Sequence, residues 1–259
     1  MYKEELNKML EAGREASKNI MKYYNEGFHT EYKDDDSPVT EADKTSDVLI
    51  RNILSKAFPT YAFLTEESRD DKSRLNNDYV FIIDPLDGTE DYVHKDGEFT
   101  TNIALAYKHE IVVGVVAIPM TGEIYYAVKG EGAYKIDKDG NVIKLHVSSK
   151  TCDLTCFRSV YHFAEKERET VEKHKDKITN VVKKGSSLKA CLIAEGKGEI
   201  SYRLNSGTKE WDTAAFDLIV QESGGYVVKL DGTKMTYNRE DVRNLDPYVI
   251  VNKLENILL

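Results

Sequence analysis

The beginning of the chain carries hydrophobic side chains at helical spacing. Residues 3–26 predict one amphipathic helix because their apolar groups recur every three to four positions. Its buried stripe is expected to comprise Leu6, Met9, Leu10, Gly13, Ala16, Ile20 and Met21. A second helix is predicted after Pro38, with Thr40 as its N-cap and Asp43 completing a capping-box pattern. Its predicted inner face comprises Ala42, Val48, Leu49, Ile53 and Leu54.

Beyond about residue 60 the pattern changes to that of strands. The uninterrupted apolar run 79–83 predicts a buried strand. Residues 99–107 and 110–118 alternate and are joined by a short polar turn, which is typical of a hairpin. Residues 123–128 and 133–136 continue what we expect to be a mostly antiparallel sheet.

In the later part of the chain, strands alternate with helices. We predict helices over residues 164–179, 186–195 and 211–223, the first of them very polar, and strands over residues 199–204, 226–230 and 248–251. This order predicts an α/β fold of two packed halves, an N-terminal α+β half over residues 1–145 and a C-terminal α/β half over residues 146–259. A functional site is expected between the halves.

Composition narrows the range of partners. The chain of 259 residues has 36 Lys and Arg against 45 Asp and Glu, a net charge of −9. Such a field repels polyanions, so nucleic acid and anionic membranes are not expected partners. The longest apolar run, residues 111–118, is too short to cross a bilayer, and three widely spaced cysteines indicate no disulfide framework. We expect a cytoplasmic protein, for which a small phosphorylated substrate stays open if a cation mediates its binding.

The candidate chemistry centres on segment 84–89, Asp-Pro-Leu-Asp-Gly-Thr, which directly follows a predicted strand. Pro85 stiffens the turn, so that Asp84 and Asp87 can converge on one point. Converging carboxylates repel each other unless a cation lies between them, and their hard oxygens suit Mg²⁺ or Mn²⁺. The carbonyl of Leu86 is a neutral ligand candidate. For a lone Asp-x-x-Asp a surface turn that caps a helix is the simpler interpretation, but the whole hexapeptide rarely arises by chance.

Further residues extend this candidate site. Gly88 allows close approach of the backbone and, with Thr89, begins the next element, where free N–H groups favour a phosphate. Glu66 follows a short strand-like run. Asp212 lies in the first turn of a predicted helix, where the helix dipole stabilises an acid even without a metal. Together with the two aspartates of the loop, these acids offer about as many carboxylates as two or three divalent ions need.

The same residues resemble a known family. Four motifs resemble those of the lithium-sensitive, Mg²⁺-dependent phosphatases and occur in the same order along the chain. They are Thr40-x-x-Asp43, Glu66-Glu67, segment 84–89, and Trp211-Asp212-x-Ala-Ala with Gly224-Gly225. That superfamily includes inositol monophosphatase, fructose-1,6-bisphosphatase and 3'(2'),5'-bisphosphate nucleotidase. The resemblance spans residues 38–225. It implies a layered α/β/α/β/α sandwich of the inositol monophosphatase and fructose-1,6-bisphosphatase type, with the site between its halves.

The resemblance also implies a role for each residue. Metal ligands for two or three Mg²⁺ ions, which Mn²⁺ could replace, are implied at Glu66, Asp84, the Leu86 carbonyl, Asp87 and Asp212. Thr89 and Asp43 are implied to orient and deprotonate an attacking water, in a metal-dependent hydrolysis of a phosphate monoester. Substrate contacts are implied at Glu66, Asp87, Gly88, Thr89 and Asp212. Homodimers are common among relatives, which leaves a homodimer open here.

Three further stretches resemble the bisphosphate nucleotidase branch. They are Gly97–Leu105, Gly185–Lys189, and Arg203 together with Gly207–Ala215. A second phosphate is expected to contact Ser186, Ser187, Lys189 and Arg203, although solvated surface charge is the alternative for Lys189 and Arg203. The resemblance therefore implies removal of the 3'-phosphate from adenosine 3',5'-bisphosphate to give AMP, and action on its sulfated form, 3'-phosphoadenosine 5'-phosphosulfate.

Other features keep alternatives open. The stretch Asp91-Tyr92-Val93-His94 is similar to inositol monophosphatases, so an inositol monophosphatase or an enzyme with both activities is the second hypothesis. A third is a non-catalytic, metal-dependent sensor of a phosphorylated ligand on the same fold. The filled ligand positions and the pair of Thr89 and Asp43 argue against a sensor.

Overall fold

Two long helices begin the fold, as the apolar spacing predicts. The computed structural model describes residues 1–33 and 36–259. Helix α1 spans Lys3–Glu26 and helix α2 spans Glu41–Ala57. Between them lies a short antiparallel hairpin of β1 (Thr30–Tyr32) and β2 (Pro38–Thr40).

The start of α2 confirms the predicted capping box, and its inner face includes the predicted Ala42 and Leu54 but not Val48. The Thr40 hydroxyl accepts from the Ala42 amide, and the Asp43 carboxylate accepts from the Thr40 amide at 2.8 Å. The predicted inner face is wrong at Val48, which is 49% exposed. The helix instead buries Ile50 together with the polar side chains Ser46 and Asp47. Apolar spacing alone does not predict a buried helix face that includes polar side chains.

The next strands form one seven-stranded sheet that carries the candidate metal loop. Its members are β3 (Ala62–Thr65), β4 (Tyr79–Asp87), β5 (Thr100–Tyr107), β6 (Glu110–Ile118), β7 (Glu123–Val128), β8 (Gly132–Ile136) and β9 (Val142–Lys144), ordered as in the chain. A short helix, α3 (Thr89–Val93), follows β4. β3 runs parallel to β4, and the remaining neighbours pair antiparallel, which confirms the predicted hairpin and meander.

The rest of the chain contributes a second, five-stranded sheet, the helices that flank it and a short two-stranded ladder. Its elements are, in chain order, β10 (Leu154–Arg158), α4 (Glu165–Lys173), β11 (Ile178–Lys183), α5 (Leu188–Ala194), β12 (Ile200–Arg203), β13 (Thr208–Lys209), α6 (Glu210–Glu222), β14 (Tyr226–Lys229), β15 (Arg243–Asn244) and β16 (Tyr248–Val251). The sheet has the order β11-β10-β12-β16-β14, while β13 and β15 pair separately as a short antiparallel ladder.

The predicted helix over 164–179 is wrong in its last third. Helix α4 already ends at Lys173, and the chain then enters β11, which pairs parallel to β10. β11 is an edge strand with mostly exposed side chains. Such a strand lacks the alternation of apolar and polar positions by which strands are found in a sequence.

The elements stack in five layers. α1 and α2 cover one face of the seven-stranded sheet, and α5 and α6 lie between its other face and the five-stranded sheet. Val171 of α4 packs on the outer face of the five-stranded sheet. This order confirms the layered α/β/α/β/α sandwich. The division near residue 145 stays a prediction, since α6 from the later part of the chain packs directly on β5 and β6.

None of the helices in the described ranges is both long enough and apolar enough to span a bilayer.

Candidate active site and metal centre

A bulge at the end of β4 brings the two loop aspartates to one place. Asp84 pairs with Asn102, and Asp87 pairs with Thr100. Between these two pairs β4 therefore advances by three residues while β5 advances by two. In a regular strand, side chains three positions apart point to opposite faces. The extra residue reverses that alternation, as β-bulges do, and allows both carboxylates to face the same space. Pro85 helps to hold the bulge, because its carbonyl accepts from the Thr101 hydroxyl at 2.9 Å.

Asp87 is held by one of its two oxygens. Its Oδ2 atom accepts from the Ser187 amide at 2.8 Å, the Ser187 hydroxyl at 2.7 Å and the Asn102 amide group at 3.1 Å. The Thr100 hydroxyl lies 3.3 Å from the same atom. These donors fix the carboxylate and leave Oδ1 available for a ligand.

Asp212 completes a cluster of three carboxylates. It lies in the first turn of α6, where its Oδ2 accepts from the Lys209 amide at 2.6 Å. One oxygen each of Asp84, Asp87 and Asp212 lies within 4.8 Å of the others. Asp84 is 2% exposed. The structure thus unites the three aspartates that the sequence singles out from two distant segments.

The electrostatics of this cluster favour a bound cation. Burial, followed by the charge of Glu66, raises the pKa of Asp84 well above its ordinary value. Burial, followed by the charge of Asp87, raises the pKa of Asp212 to about 7. Neighbouring carboxylates resist ionising together unless a positive charge lies between them. An all-oxygen donor set of this kind fits Mg²⁺ or Mn²⁺.

Glu66 lies beside the cluster and is paired with a lysine. It directly follows β3, and its amide donates to the Ile83 carbonyl at 3.2 Å, which extends the parallel pairing with β4. Its Oε1 lies 2.9 Å from the Lys33 ammonium, which also contacts Glu67 at 2.6 Å. Its metal-binding role stays a prediction.

Thr89 and Asp43 are in contact, although 46 positions separate them. The Thr89 hydroxyl donates to Asp43 Oδ1 at 2.9 Å and lies 3.1 Å from the Leu86 carbonyl. The other oxygen of Asp43 is held by the Thr40 amide in the capping box. Burial raises the pKa of Asp43, so this carboxylate has an increased affinity for a proton.

A cleft of about 600 Å³ extends from the carboxylates to the segment before α5. Gly88, Ser186, Lys189 and Arg203 all line it. Gly88 adopts φ +91°, and a Cβ there would lie 3.2 Å from the Glu98 carbonyl, so both the backbone and the space call for glycine. Burial lowers the pKa of Lys189 to about 8. The Lys189 ammonium donates to the Ser186 carbonyl at 2.7 Å.

Two buried polar atoms on this side of the cleft are unsatisfied. Among residues 1–33 and 36–259, neither the Ser186 hydroxyl nor the Arg203 Nε has a hydrogen-bond partner. Buried polar atoms are usually paired, so these two atoms are available for a hydrogen bond with a polar ligand or an ordered water. Both residues were predicted as second-phosphate contacts, and their position is consistent with that hypothesis.

Residues 2–253 match the sequence model of the Inositol monophosphatase family. The chain belongs to the inositol monophosphatase family. The 3'(2'),5'-bisphosphate nucleotidase CysQ of Aggregatibacter actinomycetemcomitans is 32% identical over 91% of this chain and 88% of its own. Inositol monophosphatase 2 of Solanum lycopersicum is 31% identical over 87% of each chain. The crystal structure of CysQ from Bacteroides thetaiotaomicron has a TM-score of 0.83 at 30% identity, over 98% of this chain and 99% of that one.

In this member of the inositol monophosphatase family, Ser187 makes other contacts than the predicted one with a second phosphate. Its amide and hydroxyl both bind Asp87, and its side chain is buried. Ser187 therefore positions a candidate metal ligand and is not available as a contact for a second phosphate. The sequence placed it only by its neighbours Ser186 and Lys189.

Other residues of the site were not predicted from the sequence. Asn102 holds Asp87, and Lys33 pairs with Glu66. His162 lines the cleft, where its Nε2 lies 3.2 Å from a carboxylate oxygen of Glu90. Lys33 and His162 belong to no motif with a fixed spacing, and Asn102 lies in the stretch Gly97–Leu105, from which no contact with Asp87 was predicted. The polar pattern around Asn102 on an otherwise apolar strand is the one signal that could have been used.

Proposed function

We propose that this protein is a metal-dependent phosphomonoesterase that removes the 3'-phosphate of adenosine 3',5'-bisphosphate, and of its 5'-phosphosulfate analogue. The observation that carries the proposal is the presence of three elements in one cleft. The carboxylate cluster of Asp84, Asp87 and Asp212 and the Thr89 hydroxyl, which contacts the buried Asp43, share this cleft with the cationic side chains of Lys189 and Arg203.

The carboxylates would hold Mg²⁺ or Mn²⁺, in two or three positions. Asp84, Asp87 and Asp212 would supply carboxylate ligands, and Glu66 and the Leu86 carbonyl would supply further oxygen ligands. When bound, such ions supply Lewis acidity towards water and phosphate oxygens. Their charge also offsets the net charge of −9, which repels a phosphorylated substrate.

Thr89 and Asp43 orient a water molecule and take its proton. The Thr89 hydroxyl donates to Asp43 and can accept from a water placed beside it. As the water oxygen bonds to phosphorus, the bond from phosphorus to the ester oxygen breaks, and the ester oxygen leaves with that electron pair and takes a proton from solvent water. The water proton passes to the Thr89 oxygen while the Thr89 proton moves to Asp43, whose raised pKa favours receiving it. Gly88 permits the phosphate to lie close to the backbone.

The second anionic group of the substrate would lie at Ser186, Lys189 and Arg203. The unsatisfied Ser186 hydroxyl and Arg203 Nε are donors, and Lys189, with a pKa of about 8, is mostly protonated at pH 7. A nucleoside bisphosphate carries a second phosphate that satisfies these donors, whereas an inositol monophosphate does not. The bacterial relatives named 3'(2'),5'-bisphosphate nucleotidase support this preference.

An inositol monophosphatase is the second candidate. The tomato relative of that name and the stretch from Asp91 to His94 favour it. The cleft of about 600 Å³ also has room for a polyol ring.

Phosphate release from adenosine 3',5'-bisphosphate and from inositol 1-phosphate, with and without Mg²⁺, tests the proposal. We expect Mg²⁺-dependent turnover that favours the bisphosphate at least ~10-fold in kcat/KM, and a loss of at least ~100-fold with Asp87→Asn. Asp246→Asn, an exposed aspartate paired with Lys229, is the control and should retain full activity.

Lys189→Ala separates the two substrate hypotheses. It should raise KM for the bisphosphate and have little effect on inositol 1-phosphate, because only the bisphosphate has a group for this subsite. Equal effects on both substrates would remove the preference for the nucleotide. Tight binding of the bisphosphate with no turnover in Mg²⁺ would instead favour a sensor.

A further inference from the structure

Residues 238–244, here called the C-terminal staple, bind the start of α6 from outside the cleft. β15 of the staple pairs with β13, which directly precedes α6. The Glu210 amide donates to the Val242 carbonyl at 2.8 Å. The Asn244 side chain donates to the Lys209 carbonyl at 2.9 Å. The staple therefore binds the helical turn that carries Asp212.

Glu210 is at the centre of these contacts between the staple and α6. Its carboxylate is 0% exposed. Oε2 accepts from the Asn238 amide at 2.6 Å, while Oε1 accepts from the Arg239 amide at 2.8 Å and from the Arg239 guanidinium at 3.2 Å. The same guanidinium donates to the Asn244 side chain at 2.7 Å, which closes the network on itself. Both oxygens of Glu210 are thus occupied by donors from the staple.

The other end of the staple is bound to the chain that carries Glu66 and the loop aspartates. Arg74 lies between β3 and β4 and is 1% exposed. It donates to the Asn238 side chain at 2.7 Å and to the Arg239 carbonyl at 2.9 Å. It also pairs with Asp70 at 2.8 Å. A continuous buried path of hydrogen bonds therefore runs from the β3–β4 connection through the staple to α6.

We propose that Glu210 is a positioning residue for the metal centre: through the staple it fixes the first turn of α6 so that Asp212 faces Asp84 and Asp87. This inference rests on the metal centre of the proposed function. It adds a residue that lies outside the cleft.

The geometry of the carboxylate explains why glutamate is needed at this position. Asp212 is two positions from Glu210 and is held on one side by the Lys209 amide. A rotation of this turn would therefore carry its free oxygen away from the other two aspartates. A glutamine has nearly the same shape, but its NH₂ group would face a backbone N–H of the staple. Two donors in contact leave a buried N–H unsatisfied, which forces the turn to move.

The direct test is calorimetric titration of the full-length, metal-free protein with Mn²⁺, with no substrate present. Glu210→Gln should weaken Mn²⁺ binding ~10- to 100-fold, the range seen when partners that orient metal ligands are changed. Glu199→Gln is the matched control, because Glu199 is also buried and accepts from a backbone amide, that of Thr155 at 2.7 Å. It should lower the melting temperature and leave Mn²⁺ affinity within about twofold.

A purely structural role makes a different prediction. If Glu210→Gln melts earlier and yet binds Mn²⁺ with parental affinity, the positioning role is wrong. Should Glu210→Gln fail to fold, the partly exposed Arg239 provides a milder variant: Arg239→Ala keeps the backbone amide and should weaken Mn²⁺ binding several-fold, whereas parental affinity overturns the proposal. Asp212→Asn tests the metal centre separately from the positioning role of Glu210. Parental Mn²⁺ affinity in that variant would overturn the metal centre itself.

Discussion

Asp87 shows how one residue can be fixed and still remain reactive. Its Oδ2 atom receives the donors of Ser187 and Asn102, so the side chain has one orientation. Charge-assisted hydrogen bonds of this kind are stronger than neutral ones, and several on one oxygen restrict rotation further. The remaining oxygen is therefore presented to a cation without the loss of side-chain entropy that binding would otherwise require. Asp212 follows the same logic with the Lys209 amide.

The pair of Thr89 and Asp43 predicts a selective loss of turnover. Thr89→Val keeps the shape of the side chain and removes the hydroxyl that contacts Asp43 at 2.9 Å. We expect kcat to fall at least ~100-fold while KM changes little, because general-base assistance acts on the transition state. Thr89→Ser keeps the hydroxyl and should retain most activity. Steady-state phosphate release at saturating Mg²⁺ measures both, and a parental kcat in the valine variant would contradict the assignment.

Asp217, buried in α6, predicts a pH-dependent stability. Burial raises the pKa of its carboxyl to about 6, against the effect of hydrogen bonds from Gln221 and Tyr237. An unfolded aspartate titrates near ~3.9. Between about pH 4 and 6 the folded protein therefore holds a proton that the unfolded chain releases, so stability falls as the pH rises through this window.

Urea unfolding in EDTA at pH 4.5 and pH 7 isolates this contribution. We expect the parent to lose about 2 kcal/mol more than Asp217→Asn between these two values. Other titrating groups are shared by both proteins and cancel in the difference. An identical pH dependence in parent and variant would show that Asp217 does not titrate in this range.

At the scale of elements, the site depends on where secondary structure stops. The bulge ends the regular pairing of β4 and β5 between Asp84 and Asp87, and α2 and α6 begin with acids that cap their own first turns. Helix starts and strand ends are where backbone groups lack partners, so polar side chains gather there. The local signals of these ends, the hexapeptide and the capping box, were visible in the sequence.

The connection between β11 and α5 contains Gly185, and its substitution tests how the position of Ser187 is maintained. A Cβ on Gly185 would lie 2.5 Å from the Glu98 carbonyl oxygen and 2.7 Å from an oxygen of Asp91. Gly185→Ala must therefore displace the segment that carries Ser187, at a cost of about 1–3 kcal/mol. Because Ser187 holds Asp87, Mn²⁺ binding should weaken as well.

Gly13→Ala is the matched glycine variant. Its added methyl group would lie 3.4 Å from the Ala117 side chain, within a helix that alanine favours. Its Mn²⁺ affinity, measured by the same calorimetric titration, should equal that of the parent. Equal affinities in both alanine variants would show that Gly185 is not needed to hold the site together.

At the scale of the whole molecule, long-range polar contacts limit what the sequence can show. The layers follow from apolar periodicity, and the hexapeptide and capping box mark three acids of the site. The contacts of Ser187 with Asp87 and of Arg74 with Asn238 join positions 100 and 164 residues apart. Neither leaves a periodic trace. The edge strand β11 escaped prediction because it lacks an alternating face.

At this scale, metal binding is expected to be coupled to the stability of the whole fold. The carboxylates come from β4 and from α6, and α6 packs between the two sheets. An ion that binds only when these elements are assembled stabilises the folded state by mass action, about 2.7 kcal/mol at a concentration of 100 times Kd. For a chain of this size that raises Tm by about 5–10 °C.

Differential scanning calorimetry with and without Mn²⁺ measures this shift. Sodium chloride at equal ionic strength is the control, because screening alone relieves self-repulsion in a chain with a net charge of −9. Asp87→Asn should abolish the Mn²⁺-specific part. We expect a single transition that moves as a unit, because one hydrophobic core contains residues of both sheets and of α6. Two transitions, of which only one responds to Mn²⁺, would instead show that the carboxylates belong to a part of the chain that unfolds independently.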